Sequence, residues 1–272
     1  MTNENVTRRA VLLGGAGLAA AAAAGVWGWP QVPNRLKQRV GLGADPYVPD
    51  AEEGTVTLEV VASAERGTDV SLFTAVPAGY GDGAGLPVVV ILHGASARPP
   101  DYQAFGFGRF LTAAVESGAA PFALAGADGG LLQWEPQPGG DNPRGMVMHE
   151  LPQWLSDRGF DASRRAVWGW SMGGYGALRL AEVAPDWARA TAAFSPAVTV
   201  GDPVFAAADR LDSSRLGVWC GLDDPFYGAV TSLVDGLPQD PAVTSFTPGA
   251  HTRVFWNDQT LTAFGFLAKA LQ

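Results

Sequence analysis

The pentapeptide Gly169-Trp170-Ser171-Met172-Gly173 places a serine between two glycines at i−2 and i+2, the spacing that presents a nucleophilic hydroxyl on a sharp turn. In a chain with 35 glycines, chance alone supplies roughly 0.2 such matches. The flanks give the motif its meaning. Ala166-Val167-Trp168 before it reads as a buried strand, and Ala177, Leu178 and Leu180 after it follow a helical period. Strand, turn and helix in that order make a nucleophile elbow, against the blander reading of a glycine-rich turn with an idle serine.

A serine hydroxyl needs a base, and the chain has three histidines: His93, His149 and His251. His93 ends an apolar run before Gly94, which suits shaping of a loop. His149 lies in a helical pattern, as a surface or packing residue. Only His251 follows the serine in a loop after the last strand, as the chain order serine, acid, histidine requires. The acid belongs on the loop Cys220-Gly221-Leu222-Asp223-Asp224-Pro225. Asp224 is preferred because it precedes proline in a Gly-x-x-Asp-Pro arrangement; Asp223 is the alternative, and whichever is bypassed would cap the helix starting at Pro225. Acyl transfer further requires two backbone donors for an oxyanion. The expected pair is the Met172 N–H, at a helix start, and the Ala95 N–H, in the loop His93-Gly94-Ala95-Ser96.

The elements that must hold these residues can be read outward from them. Residues 55–62 and 69–76 form an antiparallel hairpin about Glu65-Arg66-Gly67. Residues 86–92, 121–127, 165–170 and 188–194 are short apolar runs of the kind buried on both faces, with helical patterns at 103–116, 143–155 and 175–183 between them. Strands at 216–221 and 243–246 and a helix at about 259–271 follow. That alternation implies right-handed crossovers and an α/β fold: a doubly wound, mostly parallel sheet with helices on both faces and little or no lid.

The string Gly169-Trp170-Ser171-Met172-Gly173-Gly174-Tyr175-Gly176-Ala177-Leu178, with Glu150-Leu151-Pro152 before it and Phe194-Ser195-Pro196-Ala197 after it, resembles the esterase D group of α/β-hydrolases. That group holds S-formylglutathione hydrolases, feruloyl and acetyl-xylan esterases, and is related to the secreted mycolyltransferases of actinobacteria. The resemblance spans roughly residues 55–272. It implies Ser171 as nucleophile, Asp224 as acid and His251 as base. Residues Ala125 to Gly130, with Trp134 and Asp141, resemble the strand and loop flanking the site in exported relatives. Gly173-Gly174-Tyr175 departs from the mycolyltransferase pattern toward the esterase one.

Composition sets the remaining bounds. A net charge of −9 and no Lys/Arg cluster beyond the first forty residues exclude a nucleic-acid footprint. One cysteine, Cys220, excludes an intrachain disulfide, and neither Cys/His metal spacing nor a cofactor motif is present; the mechanism needs neither. Thr7-Arg8-Arg9 before an Ala/Gly-rich apolar run reads as a twin-arginine export signal over residues 1–33, which could also remain as a membrane tether. Residues 34–53 are then a linker and 54–272 one catalytic domain, outside the cytoplasm. Trp134, Tyr102, Phe105, Phe107, Phe226 and Tyr227 fall in loops at the open end of the sheet, and Arg144 and Arg253 are the cations there that could meet an anion. The expected partner is a small-molecule ester, cleaved through an acyl-enzyme. The alternatives are an acyltransferase that passes the acyl group to a cell-envelope sugar and a non-catalytic binding protein on the same fold.

Overall fold

Val88, Val90 and Leu92 point to one side of their strand and Val89 and Ile91 to the other, and all five are buried. A strand with no polar face must lie inside a sheet covered on both sides. The computed structural model, which describes residues 45–272, provides that cover. Eight strands form one sheet in the order β1-β2-β4-β3-β5-β6-β7-β8. They are β1 (Val56–Ser63), β2 (Thr68–Ala75), β3 (Pro87–Leu92), β4 (Ala123–Ala127), β5 (Asp161–Trp170), β6 (Thr191–Phe194), β7 (Leu216–Gly221) and β8 (Val243–Thr247). The β1–β2 hairpin is antiparallel, β2 joins β4 antiparallel, and the other six strands run parallel.

Helices α1 (Phe107–Glu116) and α6 (Arg253–Ala270) cover one face, where Phe110, Leu111, Phe264 and Leu267 pack on Val89, Ile91, Trp168 and Phe194. On the other face lie α2 (Leu151–Ser156), continuous with a π-helical turn at Met146–Glu150, and α3 (Met172–Val183); α5 (Tyr227–Asp235) packs there too. Each large side chain so buried contributes about 1.5–3 kcal/mol, enough to decide which way a strand faces. Between β6 and β7 the chain makes only short helical turns, the first of them α4 (Pro203–Ala206).

Register brings the strand ends level. Leu92 pairs with Gly169, Trp170 with Phe194, Phe194 with Trp219 and Gly221 with Thr247. The loops carrying His93, Ser171, Asp224 and His251 therefore open on the same edge.

Four boundaries differ from expectation, each for a local reason. Gly106 takes φ 80°, which breaks the helix expected from residue 103 and starts α1 at Phe107. α6 begins at Arg253 rather than near residue 259, because its first turns bury Phe255 and Asn257 instead of showing a clear apolar stripe. β5 starts at Asp161, its first half hidden in the sequence by Ser163, Arg164 and Arg165. The linker expected to run through residue 53 is packed from Tyr47 onward. Asn257 Nδ2 donates to the Tyr47 carbonyl at 2.7 Å, Arg109 Nε donates to the Ala51 carbonyl, and the Tyr47 ring meets Phe110 edge-on. The expected export signal, residues 1–33, lies outside the described residues.

Candidate active site

Ser171 stands at φ 56°, ψ −122°, a conformation that costs a non-glycine residue of order 1–3 kcal/mol and persists only where neighbours enforce it. They do. Its N–H donates to the Phe194 carbonyl at the end of β6, and its carbonyl accepts from Tyr175 and Ala197. The flanking glycines are required by contact: a Cβ on Gly169 would lie 2.2 Å from the Gly173 carbonyl oxygen, and one on Gly173 would lie 1.8 Å from the Leu92 carbonyl oxygen. Helix α3 can thus start directly against the end of β3 only if those positions lack side chains.

His251 reaches the serine. Its Nε2 is 2.8 Å from Ser171 Oγ and its Nδ1 is 2.9 Å from Asp224 Oδ2. The Asp224 side chain is fully buried, and Oδ1 accepts the Phe226 N–H at 2.9 Å, so both carboxylate oxygens are engaged. Of the two aspartates, Asp224 is the one that meets His251; Asp223 is exposed, and its N–H donates to the Gly249 carbonyl. The turn-capping bond expected of the bypassed aspartate is made by Asp224 itself, and α5 begins only at Tyr227.

The loop after β3 lies against the same point. A Cβ on Gly94 would be 2.8 Å from Trp170 Nε1 and 3.3 Å from Ser171 Cβ. Neither the Met172 nor the Ala95 N–H donates to an acceptor among the described residues, and Ala95 is exposed. His93 is fully buried, with Nε2 accepting the Gly129 N–H at 3.0 Å and Nδ1 2.9 Å from the Gly94 carbonyl. Nε2 also lies 3.4 Å from Asp128 Oδ1, so His93 braces its own loop against the one that follows β4. His149 is on the surface, paired with Glu65 at 2.8 Å.

Several aromatics expected in the opening are instead beneath it. Tyr102, Phe107 and Trp134 are buried. Trp134 wedges between Gly129 and Gly176, either of which would strike its ring with a Cβ, and its Nε1 donates to the His93 carbonyl. Burial first, and then the nearby Asp128 charge, holds the Tyr102 phenol well above its ordinary pKa. Phe226 is the partly exposed ring beside the histidine, 5.1 Å from it. Arg144 is no anion receptor: Glu135 already accepts from it.

Two residues escaped sequence reasoning. Trp256 packs edge-on at 5.1 Å against His251, and its Nε1 donates to Ser195 Oγ at 3.0 Å. Ser195, buried at φ 41°, also contacts Cys220, whose thiol is pushed up to about 12 by burial and then by the Asp224 charge. Ser195 entered the sequence reading only within the Phe194-Ser195-Pro196-Ala197 string that carries the family resemblance, with no role given to it, and Trp256 did not enter it. Among the described residues no three His, Cys, Asp or Glu side chains gather as metal ligands would.

A strained serine at a strand-to-helix turn, hydrogen-bonded to a histidine on a doubly wound sheet, defines a serine hydrolase of the α/β-hydrolase fold. Residues 63–264 match the esterase family described as "Putative esterase", and the chain belongs to that family; it is a serine carboxylesterase-type hydrolase. The fold is shared with a ferulic acid esterase (TM-score 0.69, 18% identity, 82% of this chain and 100% of that one). A ferulic acid esterase from Anaeromyces mucronatus solved with ferulic acid is similar (0.66, 18%, 89% and 97%), as is an S-formylglutathione hydrolase from Agrobacterium tumefaciens (0.64, 17%, 82% and 98%). No curated protein sequence matches the chain.

Proposed function

We propose that this esterase works through an acyl-enzyme formed on Ser171, with His251 as general base and acid and Asp224 as its orienting carboxylate. The observation that carries the reading is the unbroken line from the Asp224 carboxylate through His251 to Ser171 Oγ, at 2.9 and 2.8 Å. As Oγ attacks the ester carbonyl, its proton passes to His251 Nε2, and the buried Asp224 stabilises the imidazolium through Nδ1–H. The Met172 and Ala95 N–H groups receive the developing oxyanion. Collapse expels the alkoxide, protonated by His251; water, deprotonated by the same histidine, then releases the acid.

A fluorophosphonate probe tests this directly: the wild type is labelled and Ser171→Ala is not. Absence of labelling in the wild type would remove the reading. Water as the acceptor is checked with a p-nitrophenyl ester in the presence of trehalose, where free acid is the expected product and dominant acylation of the sugar would make the protein a transferase.

The same proposal includes export. Support comes from Arg8-Arg9 ahead of the apolar run in residues 1–33. Fused to a folded reporter, that segment is expected to direct it out of the cytoplasm, and replacing both arginines by lysine is expected to retain it inside. Export of the double-lysine form would overturn the assignment.

A further inference from the structure

Arg253 is two residues beyond His251, and its guanidinium carbon lies 3.9 Å above the Phe105 ring. Phe105 in turn packs 6.5 Å from Trp170, the residue before Ser171. Two residues of chain span at most about 7 Å, so the Arg253 backbone is necessarily close to the histidine that serves the ester.

What sets this cation apart is its lack of an acceptor. Its Nε is buried with no hydrogen-bond partner, and no other nitrogen of the group makes an ion pair or hydrogen bond among the described residues. The other described cations in that condition, Arg189, Arg210 and Lys269, are exposed and have water. Arg253 is only partly exposed, and burial pulls its pKa below the ordinary arginine value; the Asp101 charge works the other way. Asp101 acts on it only through its charge and forms no ion pair with it; Asp101 Oδ2 accepts the Arg98 N–H. With Cζ over the Phe105 ring and Nε buried, the two Nη groups, neither of them buried, are the donors left for a ligand, and together they can give a planar carboxylate two parallel hydrogen bonds.

From this geometry we infer that Arg253 determines specificity: the ester this site takes carries a carboxylate, on its acyl or its alcohol part, that docks on the Arg253 guanidinium while the carbonyl meets Ser171. The inference rests on the proposed role of Ser171. Phe105 holds the guanidinium in place, so little side-chain freedom is lost on binding.

The test compares matched esters that differ in one charge. On the acyl side these are p-nitrophenyl butyrate and mono-p-nitrophenyl glutarate; on the alcohol side, phenyl butyrate and 4-carboxyphenyl butyrate. In at least one pair the wild type is expected to favour the anionic ester in kcat/KM by about tenfold or more, expressed mainly in KM. Arg253→Met should collapse that ratio toward one, Arg253→Lys should restore part of it, and Arg253→Glu should invert it. Labelling by an uncharged fluorophosphonate reports the serine site independently. Labelled wild type with no charge preference in either pair overturns the inference alone, as does a preference that survives in Arg253→Met. Unlabelled wild type overturns the reading on which it rests. The wild-type comparison stands even if a variant fails to fold.

Discussion

Asp224 and Asp223 are neighbours in sequence but stand in different surroundings, and the difference predicts unequal mutants. Asp224 is buried and spends one oxygen on His251 and the other on the Phe226 amide. Asp224→Asn keeps the shape but reverses the hydrogen-bond sense toward Nδ1. It should lower kcat on a p-nitrophenyl ester by roughly 10⁴-fold, the scale of losing the orienting carboxylate in a serine triad. Asp223→Asn, at an exposed position, should stay within a few-fold of wild type. Equal losses in the two variants would contradict the assignment. At the same scale, the Cys220 thiol is raised to about 12, so it stays protonated at neutral and mildly alkaline pH. Native protein at pH 8 should therefore not react with a thiol-specific disulfide reagent, whereas unfolded protein should release one equivalent; fast reaction in the folded state would refute the burial argument.

The junction of β5 with α3 is the element that strains the serine, and a glycine there differs in kind from one in an open turn such as that between β2 and β3. A Cβ on Gly173 meets the Leu92 carbonyl at 1.8 Å, so backbone must move. Gly173→Ala should cost more than about 4 kcal/mol or yield no soluble protein. Gly79, at φ 84° in an open turn with nothing near its would-be Cβ, needs glycine only for its conformation. Gly79→Ala should cost about 1–2 kcal/mol. Urea unfolding of the two variants checks the contrast, and a Gly173→Ala protein as stable as Gly79→Ala would show that the elbow relaxes. Legibility follows the same division. The strand-turn-helix around Ser171 was readable because an apolar run, two glycines and a helical period sit in one short stretch. The first turns of α6 and the first half of β5 were not, because their residues are buried or paired by partners distant in the chain.

Across the whole molecule, residues 47–53 join the domain through α1 and α6, far from them in sequence. Asn257 is buried, and its side chain donates to the Tyr47 carbonyl. A chain starting at Gly54 leaves that amide without its acceptor, at a cost of about 1–3 kcal/mol. Relative to a chain starting at Asp45, its Tm should fall by roughly 2–10 °C. Equal melting temperatures would show that the segment contributes nothing. The α/β class with its mostly parallel sheet, the strand-turn-helix around Ser171, His251 and the pair of candidate aspartates were all written in local patterns and in chain order, since each depends on neighbours within a few residues or on a sequence of loops. Tertiary structure decided the rest: the order of the strands, that Asp224 meets His251, that Trp134, Tyr102 and Phe107 lie under the site, that Ser195 and Trp256 brace the histidine, and that Arg253 alone among the described, partly buried cations lacks an acceptor. Those depend on which side chains from separate strands and helices arrive at one place, and contacts between residues far apart in the chain leave no periodic mark in it.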